Sequence, residues 1–128
     1  MSGNSGQQGG GSQTIDLGTN NIILRIKSGV IGQNGGQTMT INGGTVDFGA
    51  EEAVLFASYS RSINLNSRVI GTGGLTMGNG RGSVQLSNTG NTFTGGIKVV
   101  QEGLLQTNNT EIIPDSNSIY VGPGARFH

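Results

Sequence analysis

The chain contains no cysteine and no tryptophan, and it has one histidine, two prolines and few aromatic residues among its 128 positions. Without cysteine it forms no disulfide bond and offers no thiolate to a metal. The single histidine, His128, is the last residue, so neither a zinc site built on several histidines nor a Ser-His-Asp triad is supported. The sequence therefore predicts no catalytic residue, no metal site and no cofactor.

Charge is also scarce, because seven Lys and Arg residues balance seven Asp and Glu residues. Binding to nucleic acid depends on concentrated basic residues, whereas those of this chain are scattered except for Arg25 and Lys27. We therefore expect no nucleic-acid partner. No apolar run approaches the ~20 residues of a membrane-spanning helix, and the first residues lack the basic and apolar regions of a signal peptide. These features indicate either a cytosolic chain or a segment of a longer protein.

Glycine is abundant, with 25 residues, while the apolar residues are mostly Ile, Val and Leu in short runs. Short β-rich runs and many glycines are compatible when glycine occupies tight corners between strands. Residues 1–13 contain only Gly, Ser, Gln and Asn besides Met1, which predicts a flexible leader or linker. Residues 14–128 are the predicted folded segment.

Apolar–polar–apolar triplets recur along this segment between corners rich in Gly, Asn and Ser. The triplets are Ile15-Asp16-Leu17, Leu24-Arg25-Ile26, Met39-Thr40-Ile41, Val46-Asp47-Phe48, Ile63-Asn64-Leu65, Leu75-Thr76-Met77, Val84-Gln85-Leu86, Ile97-Lys98-Val99 and Ile119-Tyr120-Val121. Because strand side chains alternate between faces, each triplet directs two apolar groups to one face and a polar group to the other. Residues 50–59 are the best helical candidate, and they fit a strand better.

The triplets are shorter, and their corners longer, than the strands and hairpins of an antiparallel sandwich. Stacked coils need contacts only between neighbouring turns, which suits a chain of short strands and long corners. We therefore predict an all-β fold, a single-stranded parallel β-helix or β-solenoid of about four coils with roughly 20–25 residues each.

Residues 71–106 carry a more specific pattern, GTGGLTMGNGRGSVQLSNTGNTFTGGIKVVQEGLLQ. This pattern resembles the autotransporter-associated β-strand repeat, which occurs in passenger domains of bacterial autotransporters and related large surface proteins. The principal matching positions are Gly74, Leu75, Val84, Leu86, Asn91, Thr92, Phe93, Thr94, Gly95, Gly96, Ile97, Val99, Gly103 and Leu105. The departures are Met77 and the segment 87–90, which is longer than the family's usual Ser-Gly.

The resemblance implies a right-handed parallel β-helix that is a fragment of a longer solenoid, together with secretion or display at the bacterial cell surface. It implies a structural or adhesive role, a host-surface protein or glycan as partner, and an outer-membrane barrel outside this chain as the anchor. Within the motif, we expect Phe93 to fill the coil interior. Asn91 is expected to hydrogen-bond the backbone and to stack on an equivalent asparagine, and Gly95 and Gly96 to permit a sharp bend.

Two other classes of solenoid protein remain open. A polysaccharide lyase or glycosidase would need paired carboxylates across a cleft, and the stacking of Asp16 near Asp47 is the pairing considered. A phage-tail or ice-binding solenoid would favour regular Thr-x-Thr arrays, of which only residues 92–94 are an example. The outward-facing Tyr120 is a candidate stacking surface. Unpaired strand edges at the solenoid ends predict self-association through those ends.

Overall fold

The computed structural model describes residues 11–33, 37–78 and 80–128, and in these ranges the chain forms strands and no helix. The strands are β1 (Gln13–Asp16), β2 (Ile23–Arg25), β3 (Val30–Gln33), β4 (Thr38–Asn42), β5 (Thr45–Asp47), β6 (Ala53–Ala57), β7 (Ser62–Leu65), β8 (Arg68–Ile70), β9 (Leu75–Met77), β10 (Ser83–Leu86), β11 (Ile97–Val99), β12 (Leu104–Thr107), β13 (Ile119–Val121) and β14 (Arg126–Phe127). Most of the predicted leader, residues 1–13, lies outside the described residues. Strand β1 begins at Gln13, one residue before the predicted start of the folded segment.

The strands form three parallel sheets that the chain visits in rotation. Sheet A has the order β1-β4-β7-β10-β12-β14, sheet B has β2-β5-β8, and sheet C has β3-β6-β9-β11-β13. Every strand pairing is parallel and joins one coil to the next. The predicted all-β parallel solenoid is therefore confirmed. The segment 50–59 contains strand β6, as expected, and not a helix.

The coil is longer at the start of the chain than at its end. In sheet A, Gln13 pairs with Met39 and Met39 with Ile63, which are steps of 26 and 24 residues. From Ser62 to Ser83 and from there to Leu104 the step is 21 residues. The solenoid thus makes about five turns, one more than predicted, because within residues 80–128 each coil is short and sheet B gains no further strand.

The triplets build the core as their alternation predicts. In sheet A, Ile15, Ile41, Leu65 and Leu86 occupy one inward-facing column in register. The last three of these are almost fully buried, and Ile15 in the first coil is partly buried. Stacking identical apolar positions coil over coil removes their side chains from water, which is the main favourable term in folding.

Candidate functional site

The Asn-Thr-Phe-Thr segment of the motif takes the place of a strand in sheet B. The N–H of Thr92 donates to the carbonyl of Val69 at 3.0 Å, and the N–H of Thr94 donates to the carbonyl of Gly71 at 2.9 Å. These bonds stack the segment on the coil that contains β8. The motif therefore continues the side of the solenoid where regular strand pairing ends.

Asn91 supplies with its side chain the hydrogen bonds that a strand would supply with its backbone. Its Oδ1 accepts from the N–H of Val69 at 2.8 Å in the preceding coil, and its Nδ2 donates to the carbonyl of Ile112 at 3.0 Å in the following coil. The residue is only 7% exposed. The expected bonding to backbone is present, but the expected stacking on an equivalent asparagine is wrong. Asn91 bonds to the backbone of Val69 and Ile112 because its amide fills a gap in the ladder.

Asn117 performs a related task one coil later. Its Oδ1 accepts from the N–H of Gly96 at 3.0 Å, and its Nδ2 donates to the carbonyls of Phe93 and Pro114 at 3.0 and 3.1 Å. Sequence reasoning did not identify this residue. The available signal was its position just before the triplet that begins at Ile119, about one coil after the motif. Both ends of the Gly-Gly bend are thus held by side-chain amides.

The remaining motif positions divide between the interior and the surface. The buried ones are Gly74, Leu75, Val84, Leu86, Phe93, Ile97, Val99, Gly103 and Leu105. Phe93 points inward, as expected, and is among the largest fully buried side chains. Thr92 and Thr94 are exposed, and the Oγ1 of Thr92 accepts a 3.4 Å hydrogen bond from Nη2 of Arg68. The motif is therefore chiefly scaffold, with a narrow strip of hydroxyls on its outer side.

Asp16 and Asp47 do not stack, so the expectation that neighbouring coils would bring them together is wrong. Asp16 belongs to sheet A and Asp47 to sheet B. Each carboxylate instead accepts the N–H of the glycine two residues on, Gly18 at 2.8 Å and Gly49 at 2.7 Å, which shapes a corner. Among the residues that the structure describes, no group of three or more acidic, His or Cys residues could hold a metal ion.

A second cluster lies at the corner where sheet C leads back to sheet A. We name it the charged corner and define it as Tyr59, Arg81, Glu102 and Arg126, which with Gly124 line an open cavity of about 290 Å³. The Nε of Arg81 donates to Oε2 of Glu102 at 2.6 Å. Sequence reasoning did not identify this site, although its members are spaced by 21 to 24 residues, about one coil each.

The ion pair perturbs both of its members. The hydrogen bond from Arg81, followed by its positive charge, lowers the pKa of Glu102 below the ordinary value of 4.5. The same bond and the charge of Glu102 raise the pKa of Arg81. Both side chains therefore remain ionised across the neutral range, and the corner presents two guanidinium groups and one carboxylate.

A titration of Glu102 tests this geometry. Followed by carbon NMR, its side-chain carboxyl should show a midpoint below 4.5, and the variant Arg81→Gln should return it towards 4.5. Because the folded pKa is the lower one, the pair's contribution to stability is present above the unfolded pKa and is lost as the pH falls through the folded pKa. Equal midpoints in the two proteins would contradict the pairing.

Comparison with known proteins identifies no relative: no protein-family model, no curated protein and no solved structure matches the chain. The resemblance of residues 71–106 to the autotransporter-associated repeat therefore remains a prediction from the sequence. Within residues 11–33, 37–78 and 80–128, no helix has the length and apolar character needed to cross a membrane.

Proposed function

We propose that this chain is a non-catalytic structural segment of a secreted or surface-displayed bacterial protein, serving as a rigid stalk whose outer face binds other molecules. The observation that carries the proposal is the in-register stacking of about five coils around one continuous apolar core. Each coil advances the structure by about 4.8 Å, the spacing of paired strands. Such an assembly is long, narrow and extensible, as a spacer requires.

The outer face of sheet A supports the adhesive part of the proposal. Its central outward column is Thr14, Thr40, Asn64, Gln85 and Gln106, all uncharged, polar and in register. A flat row of hydroxyl and amide groups offers many hydrogen bonds at low desolvation cost. A glycan or a host-surface protein fits such a surface.

Surface display is tested with antibodies raised against the folded chain. We expect them to label intact cells of the organism that encodes it, and brief protease treatment of those cells should remove the label. Labelling that requires permeabilisation would refute display. Incubation with a panel of acidic and neutral polysaccharides should release no product, and turnover of any of them would refute the non-catalytic role.

The last coil leaves core positions open to solvent. Ile119, Val121 and Phe127 face the column interior and are 38%, 42% and 40% exposed, whereas Ile97 and Val99, one coil earlier, are almost fully buried. We expect the 128-residue polypeptide on its own to self-associate through this face.

Size-exclusion chromatography over a range of concentrations measures this association. The elution volume should decrease as concentration rises, and the variant Val121→Lys should shift the equilibrium towards monomer because it places a charge on the apolar face. As a control, Thr40→Lys places the same charge on the polar outer face and should leave the equilibrium unchanged. A concentration-independent monomer with an intact β-sheet circular dichroism signal would contradict the expectation.

A further inference from the structure

The charged corner combines an exposed aromatic ring with fixed charges in a concave site. Tyr59 is 68% exposed and lines the cavity together with Arg81, Glu102 and Arg126. Each of the four comes from a successive passage of the chain, so the site spans three strand spacings, roughly 14 Å. Concave surfaces with a few convergent polar groups are the usual form of ligand sites.

The backbone around this site adopts conformations that side-chain-bearing residues rarely take. Ser60, Gln101 and Glu102 have φ values of 59°, 50° and 63°, and they are three of the four non-glycine residues with positive φ in the described ranges. The turn at Gln101 and Glu102 places the Glu102 carboxylate against Arg81. Unfavourable backbone conformations that persist in a fold cluster at ligand sites.

Neighbouring groups also fix the position of Glu102. A Cβ added at Gly124 would lie 3.3 Å from Cγ of Glu102, so the side chain lies close against the backbone of the following coil. Arg81 donates its Nε to Glu102, and a guanidinium carries four further N–H donors. The pair is therefore held in place while donors directed at a ligand remain.

We propose that the charged corner binds an acidic oligosaccharide. The anionic group of the sugar binds the guanidinium of Arg126 and the terminal nitrogens of Arg81, since a planar guanidinium matches a carboxylate or sulfate with two parallel hydrogen bonds. The ring of Tyr59 covers an apolar face of the pyranose. The second carboxylate oxygen of Glu102 accepts a sugar hydroxyl.

The composition of the site favours this ligand over others. Two guanidinium groups against one carboxylate leave a positive charge at the corner, which a neutral sugar would not neutralise. An acidic peptide would satisfy that charge but would offer no flat ring to the exposed Tyr59. A carboxylated and a sulfated sugar share the required chemistry, and the experiment separates them.

This inference rests on the proposed function in one respect, since it names the ligand of a surface proposed to bind. The two fail separately, however. Antibody labelling of intact cells reports on display, and ligand binding by the purified chain reports on the charged corner alone.

The experiment is an NMR titration of the ¹⁵N-labelled full chain at low ionic strength. The ligands are trigalacturonate, a sulfated trisaccharide, a neutral galactose trisaccharide and triglutamate. We expect saturable shifts of the amide signals of Tyr59, Arg81, Glu102 and Arg126 with the acidic sugars, weakened by added salt. The acidic sugar that binds more tightly identifies the anionic group.

Two variants and a matched control locate the site. Arg126→Gln and Tyr59→Ala should each weaken binding by about tenfold, as expected for loss of one charge-assisted hydrogen bond or one stacking contact. Arg25→Gln changes the net charge by the same amount on sheet B and should leave the affinity within about twofold, because a distant exposed charge is screened.

The inference is overturned by any of several results. These are no saturable shift at the charged corner, equal affinity for the neutral trisaccharide, tighter binding of triglutamate, or an affinity that Arg126→Gln and Tyr59→Ala leave unchanged. Thermal unfolding of each variant confirms that it is folded. Titration of the unmodified chain tests the proposal even where a variant does not fold.

Discussion

Replacing Asn91 with alanine should lower the free energy of unfolding by about 3 kcal/mol, because the change leaves two buried backbone groups without partners. The N–H of Val69 loses its acceptor, and the carbonyl of Ile112 loses its donor. Each buried group left unsatisfied costs roughly 1–3 kcal/mol. Urea denaturation followed by circular dichroism measures the loss.

A matched asparagine provides the control for this prediction. Asn109 is exposed and its side chain bonds only to its neighbour Thr110, so Asn109→Ala should change stability by less than about 0.5 kcal/mol. Equal effects of the two substitutions would show that water replaces the Asn91 amide without cost.

The variant Asn91→Asp separates the donor role from the acceptor role. An ionised carboxylate accepts from Val69 but cannot donate to Ile112, and burial raises its pKa in the folded protein. Stability is therefore retained below the unfolded pKa and lost as the pH rises through the folded pKa. The variant should be closer to the parent protein at pH 4 than at pH 7.

The adjacent glycines of the motif should respond very differently to alanine. Both have positive φ, 97° at Gly95 and 84° at Gly96, which alone costs about 1–2 kcal/mol for alanine. A Cβ at Gly95 would also lie 2.4 Å from the nitrogen of Gly74 and 2.7 Å from the carbonyl oxygen of Thr72. At Gly96 the nearest atom is Oγ of Ser118 at 3.3 Å.

We therefore expect Gly95→Ala to cost about 2–5 kcal/mol and Gly96→Ala only about 1–2 kcal/mol. Thermal unfolding of the two variants side by side gives the comparison, with the backbone strain as a shared background. Similar losses would mean that the spacing between the coils of Gly74 and Gly95 yields to a methyl group.

The strands could be predicted from the sequence because their signal is local. In each triplet, such as Ile63-Asn64-Leu65, alternation within three residues specifies which side chains face inward, and the structure places every triplet on a strand. The number of coils was less accessible. It depends on where sheet B ends, and there the side chain of Asn91 takes over hydrogen bonds that no backbone pattern announces.

The candidate site was harder to predict because its parts meet only through the register of the coils. Arg81 and Glu102 are 21 residues apart, and their contact follows only once the pairing of β10 with β12 is known. The same ignorance of register led to the wrong expectation that Asp16 would stack near Asp47, which lies in a different sheet. Side chains separated by one coil are neighbours only if both lie at the same corner.

The repeated 21-residue step in sheet A has a consequence for how such a protein can change in length. Because β7, β10 and β12 are related by the same step, residues 83–103 amount to one complete turn. A tandem duplication of that segment would add one turn and about 4.8 Å while every flanking side chain kept its facing direction. An insertion of any other size would have to be absorbed at a corner, so growth by whole turns is the least disruptive evolutionary route.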